Sequence, residues 1–147
     1  MIWGTSETPM GRLIAKWHRA HHEGSAFVPP YSAAAWRGPE DDFRASAVFC
    51  NYTGPNIDIH LVVKSRPSIR IWRDILRYVF VQLKCRRLTA IVPENHTKLL
   101  RLVRGLKGWR PEGSLLRFFP DDETGLIFSF YPEDAEKILD GQLPKRS

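Results

Sequence analysis

The stretch 57-IDIHLVVKSRPSIRIWRDILRYVFVQLKCRRLTAIVPENHTKLL-100 sets out the fold. Ile57, Ile59, Leu61 and Val63 alternate with Asp58, His60 and Val62, the period of a strand with one face in a core. Ser65-Arg66-Pro67-Ser68 then supplies capping residues and a proline suited to a first helical turn. Ile69, Trp72, Ile75, Leu76, Val79, Phe80 and Leu83 follow as a stripe at period 3.6, which predicts an amphipathic helix. Arg87 to Val92 reads as a buried strand stopped by Pro93, and Glu94 to Thr97 offers a cap for a helix carrying Leu99, Leu100, Leu102, Val103 and Leu106. The order is strand, helix, strand, helix.

Upstream, Phe43 to Tyr52 reads as a strand joined to Ile57–Lys64 through Thr53-Gly54-Pro55-Asn56, an antiparallel hairpin. Downstream, Gly113–Phe119 and Thr124–Tyr131 flank Pro120-Asp-Asp-Glu123 as a second hairpin, and Pro132 to Leu139 predicts a terminal helix. Residues 9–22 place Leu13, Ile14 and Trp17 at helical spacing, ahead of Gly24. Residues 25–42, with Pro29, Pro30, Pro39 and a Glu-Asp-Asp run, are expected to form a loop in which Ser32–Trp36 makes at most a helical turn.

The chain has 147 residues, 43% of them hydrophobic, enough for one core. A single domain over 1–141 with a flexible tail at 142–147 is expected. The formal charge is +6, but residues 64–110 carry thirteen Lys or Arg against Asp74 and Glu94, a net +11, so the remainder is net −5. Such a split points to a polyanionic ligand met by one region. Cys50 and Cys85 stand apart without Cys-x-x-Cys spacing, against a disulfide framework or a cysteine zinc site. No apolar run approaches the roughly 18 residues of a membrane span. The expectation is a soluble, unexported protein of a reducing cytoplasm.

Residues 69–115 resemble the GNAT superfamily of acyl-CoA-dependent N-acyltransferases, most closely the ribosomal-protein-acetylating type and GNAT-like proteins of bacteriophages. Leu88–Val92 ending in Pro93-Glu94-Asn95, the helix after it, and Gly108-Trp109-Arg110-Pro111-Glu112-Gly113 carry the likeness, and His60 is similar to a strand histidine of the phage type. The match spans about residues 43–131. It implies one α/β domain, a mixed, mostly antiparallel central sheet flanked by helices and splayed between its fourth and fifth strands. Acetyl-CoA would thread the opening, its pyrophosphate at the start of the next helix on Ser65, Arg66, Ser68 and Arg70, with Val62 and Asn95 along the pantetheine arm. The physical basis is general, since a helix amino terminus presents N–H donors and a positive dipole end to an anion.

Two departures stand out. The phosphate loop Lys64–Ser68 lacks the family's glycines, and Leu102 or Arg104 stands where many members carry a tyrosine general acid. Acyl transfer needs an amine deprotonated, a carbonyl polarised and a thiolate reprotonated. His60 is the candidate base, Asp58 on the same face would orient it or hold a cationic acceptor, and Asn95 would bond pantetheine or the acyl group, unless it serves as a helix cap. Tyr52, Tyr78 and Tyr131 are the other hydroxyl candidates. His18, His21 and His22 share one helix, but without an acidic or cysteine partner no metal site is assigned.

Two functions remain open. One is acetyl transfer to a small amine or a protein amino group. The other is an inactive GNAT-fold scaffold with a macromolecular partner, in a phage particle or on nucleic acid, where Arg70, Arg73, Arg77, Lys84, Arg101 and Arg104 would meet phosphates.

Overall fold

The computed structural model describes residues 1–21, 27–39, 42–64 and 67–140. In chain order they form β1 (Ile2–Thr5), α1 (Pro9–His21), β2 (Tyr31–Arg37), β3 (Phe43–Cys50), β4 (Asn56–Val63) and α2 (Ile69–Leu76), which runs on as a π-helical segment, Arg77–Gln82. After it come β5 (Arg87–Pro93), α3 (Thr97–Gly105), β6 (Arg110–Phe119), β7 (Glu123–Phe130) and α4 (Pro132–Leu139).

The seven strands make one sheet in the order β1-β2-β3-β4-β5-β7-β6, antiparallel except for the β4–β5 pair. The strand alternation read from the sequence sorts the two faces. Ala45, Ala47 and Phe49 of β3 and Ile57, Ile59, Leu61 and Val63 of β4 pack under α2, joined by Leu88 and Ala90 of β5 and by Ala135 and Leu139 of α4. Ile71, Ile75 and Leu76 of α2 are buried completely or nearly so, each stabilising by roughly 1.5–3 kcal/mol. Leu99, Leu100 and Val103 seat α3 on Val92 and Phe128 of the same face. The opposite face carries α1 over β1, β2 and β3, where Ile14 and Ala15 meet Ala33, Ala35 and Val48.

The segment 25–42 departs from expectation: Tyr31–Arg37 is a strand, paired on both sides, and its partner β1 is a further strand beyond those expected. Alanine prefers helix by intrinsic propensity, but propensity is a weak prior, and small side chains are what a strand covered on both faces needs here. Ala33 and Ala35 lie under α1, whereas Ala34 and Trp36 lie under α2. Trp36 Nε1 donates to Asp74 Oδ2 at 2.9 Å, and the Tyr78 hydroxyl pairs with Ser32 Oγ at 3.0 Å, tying β2 to the long helix. The tail at 142–147 lies outside the described residues.

Candidate functional site

β4 and β5 are paired at only three positions, Asn56 with Arg87, Ile57 with Leu88 and Asp58 with Thr89. Beyond Asp58 the two strands part, so the sheet opens as a wedge. A narrow cavity of about 30 Å³ occupies it, lined by Ile59–Leu61, Ala90–Val92, Trp72, Leu99, Val103, Trp109 and Phe119. The Trp72 and Trp109 rings meet edge to face, 6.2 Å apart. The Trp109 Nε1–H is buried and has no hydrogen-bond partner among the described residues. A buried donor in that state is costly, which marks the wedge as a place that an acceptor oxygen would stabilise.

Three hollows adjoin the wedge and share lining residues. The first, about 520 Å³, runs between the start of α2 (Pro67, Ile69, Trp72) and α3 (Lys98, Arg101, Leu102, Gly105, Leu106). A second, about 80 Å³, is bounded by Leu61–Val63, His96, Lys98, Leu99, Leu102 and, from α1, His21. The third, about 690 Å³, lies on the far side among Ala20, His21, Pro93, Asn95–Lys98, Phe119, Pro120 and Glu123. Lys98 lines all three, so the hollows converge on this side chain as a groove whose basic end, Lys98 and Arg101 of α3, faces the start of α2.

The residues expected from the sequence fall as follows. Val62 is buried in β4 and lines the 80 Å³ hollow. Ser68 is the N-cap of α2 but makes no side-chain cap bond; its hydroxyl accepts from Arg44 Nη2 at 3.4 Å. Arg70 is exposed in the first turn of α2, and Ser65 and Arg66 lie outside the described residues. His60 lines the wedge and stands 5.6 Å from the Phe27 ring, on the α1 face. Asp58 takes bonds from Asn51 Nδ2 at 2.9 Å and Asn56 Nδ2 at 3.1 Å. Asn95 lines the large hollow and donates to Glu123 Oε2 at 3.0 Å. The helix cap is His96 instead, whose Nδ1 accepts from the Leu99 N–H at 3.2 Å. Asn95 stands one residue too early for that bond.

Of the tyrosines, Tyr78 is buried behind the sheet and none of the three lines these hollows. Burial pushes the Cys50 thiol up to about 11, so it is no nucleophile at neutral pH. His18 is fully buried, its Nδ1 2.7 Å from Ser46 Oγ, whereas His21 is exposed at the groove. His22 lies outside the described residues. What the sequence missed are His96 and Lys98 as groove residues; Arg101 was read there only against nucleic-acid phosphates and His21 only as one of a histidine cluster. Only the helical periods of α1 and α3 hinted at them, and period alone does not say which helices face each other.

A polar chain crosses the same sheet face as His60. Arg87 bonds Glu112 Oε2 at 2.8 Å and Thr89 Oγ1 at 2.9 Å; Thr89 bonds Asn56 Oδ1 at 2.6 Å; Asn56 bonds Asp58. The Tyr131 hydroxyl donates to Glu112 Oε1, and this bond, with help from Arg87, holds the Glu112 carboxyl below its usual range. With its folded value depressed, Glu112 contributes stability above the ordinary carboxylate range and loses it as pH falls through the folded value. Tyr131→Phe is expected to move the Glu112 titration upward. Carboxyl NMR titration of both proteins checks this.

No protein-family model and no curated protein matches the chain. Solved structures do. The spermidine/spermine N-acetyltransferase SpeG from Vibrio cholerae superposes with a TM-score of 0.66 at 10% identity, covering 95% of this chain and 96% of that one. The chain has the GNAT acetyltransferase fold. A putative acetyltransferase from T. thermophilus gives 0.65 at 16% identity, over 78% of this chain and 66% of that one. A GNAT-family acetyltransferase from Bacillus anthracis gives 0.54 at 17%, over 65% and 62%. The splay expected between the fourth and fifth strands is the β4–β5 wedge. No described helix is long and apolar enough to cross a membrane.

Proposed function

We propose that the protein is an acyl-CoA-dependent N-acetyltransferase that moves an acetyl group from acetyl-CoA to a small amine or a protein amino group. The wedge carries this reading: a sheet seam that ends after three residue pairs, with a basic groove at one mouth and an open hollow at the other. Acetyl-CoA brings the thioester; the chain's residues bind and orient it. β4 beyond Asp58 has no partner strand on its β5 side, so its backbone groups there are available to a pantetheine arm lying along Leu61–Val63. The buried Trp109 N–H fits the same guest, as a donor to a carbonyl oxygen in the wedge. Ser68 and Arg70 at the head of α2, with Lys98 and Arg101 opposite, suit the phosphates, and Ser65 and Arg66, which precede them in the sequence, are assigned the same role.

In the reaction His60 is assigned as the base that takes the amine proton. Asn95 orients the acyl or pantetheine end, and Asp58 draws a cationic acceptor to the open face. The Vibrio cholerae neighbour is named for spermidine and spermine. A second cationic group on the acceptor would suit Asp58 and Glu123. Action in the cytoplasm, on a ribosomal or other protein amino group, belongs to the same proposal.

The narrowness of the wedge favours a second reading, a GNAT-fold scaffold without turnover. A cavity of about 30 Å³ holds little more than one water. Trp72 and Trp109 must then shift for any acyl chain. In that case the basic region serves a macromolecular partner, a virion component or nucleic acid. Calorimetric titration separates the two: acetyl-CoA is expected to bind saturably and more tightly than a short DNA duplex at two salt concentrations. Folded protein indifferent to acetyl-CoA would sink the enzyme reading, and steeply salt-dependent DNA binding would replace it.

A further inference from the structure

The fold places Leu102, an aliphatic side chain, in the 80 Å³ hollow beside β4, and the α3 cation that shares the hollow, Lys98, is tied to the Lys64 carbonyl, to which its Nζ donates at 3.2 Å. The same hollow has one wall from another element, His21 in the last turn of α1. We propose that His21 is the general acid that reprotonates the thiolate of CoA. This rests on the acetyltransferase reading above.

Two backbone contacts fix the chemistry of the histidines at that hollow. The partner of His21 Nδ1 is the Trp17 carbonyl at 2.8 Å, which can only accept, so Nδ1 carries a proton. Nε2 is therefore the atom that gains and gives a proton, and the ring keeps its bond to Trp17 in both states. The ring is also held by stacking on Trp17, centroids 4.1 Å apart. His96 is set the opposite way: its Nδ1 accepts from the Leu99 N–H, so its single proton is on Nε2, and giving that up would leave an imidazolate. His96 can donate a hydrogen bond but cannot serve as an acid.

The step balances. The amine nitrogen bonds the thioester carbon and its proton goes to His60 and on to solvent. As the C–S bond breaks, the electron pair stays on sulfur, which takes the Nε2 proton of His21, and His21 is recharged from solvent. Charged neighbours set the local field: Lys98 from α3, Lys64 from the end of β4, 5.2 Å over the Trp17 ring, and Asp42, which pairs with Lys64 and accepts from Trp17 Nε1.

The test uses His21→Asn in the full chain with CoA and acetyl-CoA. In wild type the thiol of bound CoA, followed by thiolate absorbance in the ultraviolet, is expected to ionise at lower pH than free CoA, because imidazolium stabilises the thiolate. In the variant the shift disappears while calorimetric acetyl-CoA affinity stays within about twofold. Thiol release with spermidine or polylysine as acceptor falls by roughly 10²–10⁴ in kcat with KM unchanged. A CoA thiol that titrates alike in both proteins, with affinity intact, overturns the assignment and leaves the acetyltransferase reading standing. Failure of wild type to bind acetyl-CoA removes that reading itself. His21→Gln supplies a second variant should the first lose its fold, and the same two readouts decide.

Discussion

Alanine at both Lys98 and Arg101 is expected to weaken acetyl-CoA binding by about 30- to 100-fold. The two cations stand on successive turns of α3, facing the head of α2 across the 520 Å³ hollow. A hydrogen bond to a charged group contributes roughly 1.5–3 kcal/mol, and exposure to solvent trims each toward the low end. Together they come to about 2–3 kcal/mol, which is the stated loss at about 1.4 kcal/mol per tenfold. Calorimetry at low and high salt checks it, and the gap between wild type and variant should shrink as salt rises. A variant that binds as wild type does would move the phosphates away from α3 altogether.

Gly11→Ala is the substitution expected to damage the fold most for the fewest atoms added. A Cβ there would lie 2.0 Å from the Thr5 carbonyl oxygen and 2.4 Å from its nitrogen, both backbone atoms of the strand end beneath the helix. Gly4 is in the same position from the other side, its Cβ 2.2 Å from Gly11 N. Neither backbone can yield without lifting α1, which would loosen the burial of Ile14, Ala15 and His18. A loss of roughly 3 kcal/mol is expected, read as a fall of about 10 °C in Tm. Gly105→Ala is the control: nothing lies within 4 Å of its Cβ, so stability should hold or rise slightly. Equal melting of the two variants would mean that α1 is not seated on β1 as described.

Where side chains repeat at a helix or strand period, the sequence was enough to draw the element. Ile69 to Leu83 wrote out α2, and the two hairpins and Arg87–Val92 were equally plain. β2 escaped because Ala33-Ala34-Ala35 has no alternation to read; its partners on either side, not its residues, make it a strand. β1 is too short, at four residues, to show a period. The site was legible in part. His60 lines the wedge, and Val62 and Asn95 line hollows beside it, because the strands and the turn that carry them could be drawn from the sequence. His21 was not expected there, because its place depends on how α1 meets α3 across a sheet edge, a contact between segments far apart in the chain. His96 was hidden for another reason: Asn95 is the better cap by residue type, and only the geometry of the turn shows that His96 makes the bond.

The short β4–β5 seam also divides the molecule mechanically. On one side stand β1 to β4 with α1; on the other, β5 to β7 with α3; and α2 and α4 bridge them through their shared apolar layer. Three residue pairs are a weak backbone hinge between two half-sheets. A guest laid along the free margin of β4 would splint them, turning two loosely coupled slabs into one stiff plate. The amides of residues 59–63 and 90–92 would then slow their hydrogen exchange together, far more than the hairpins at either edge.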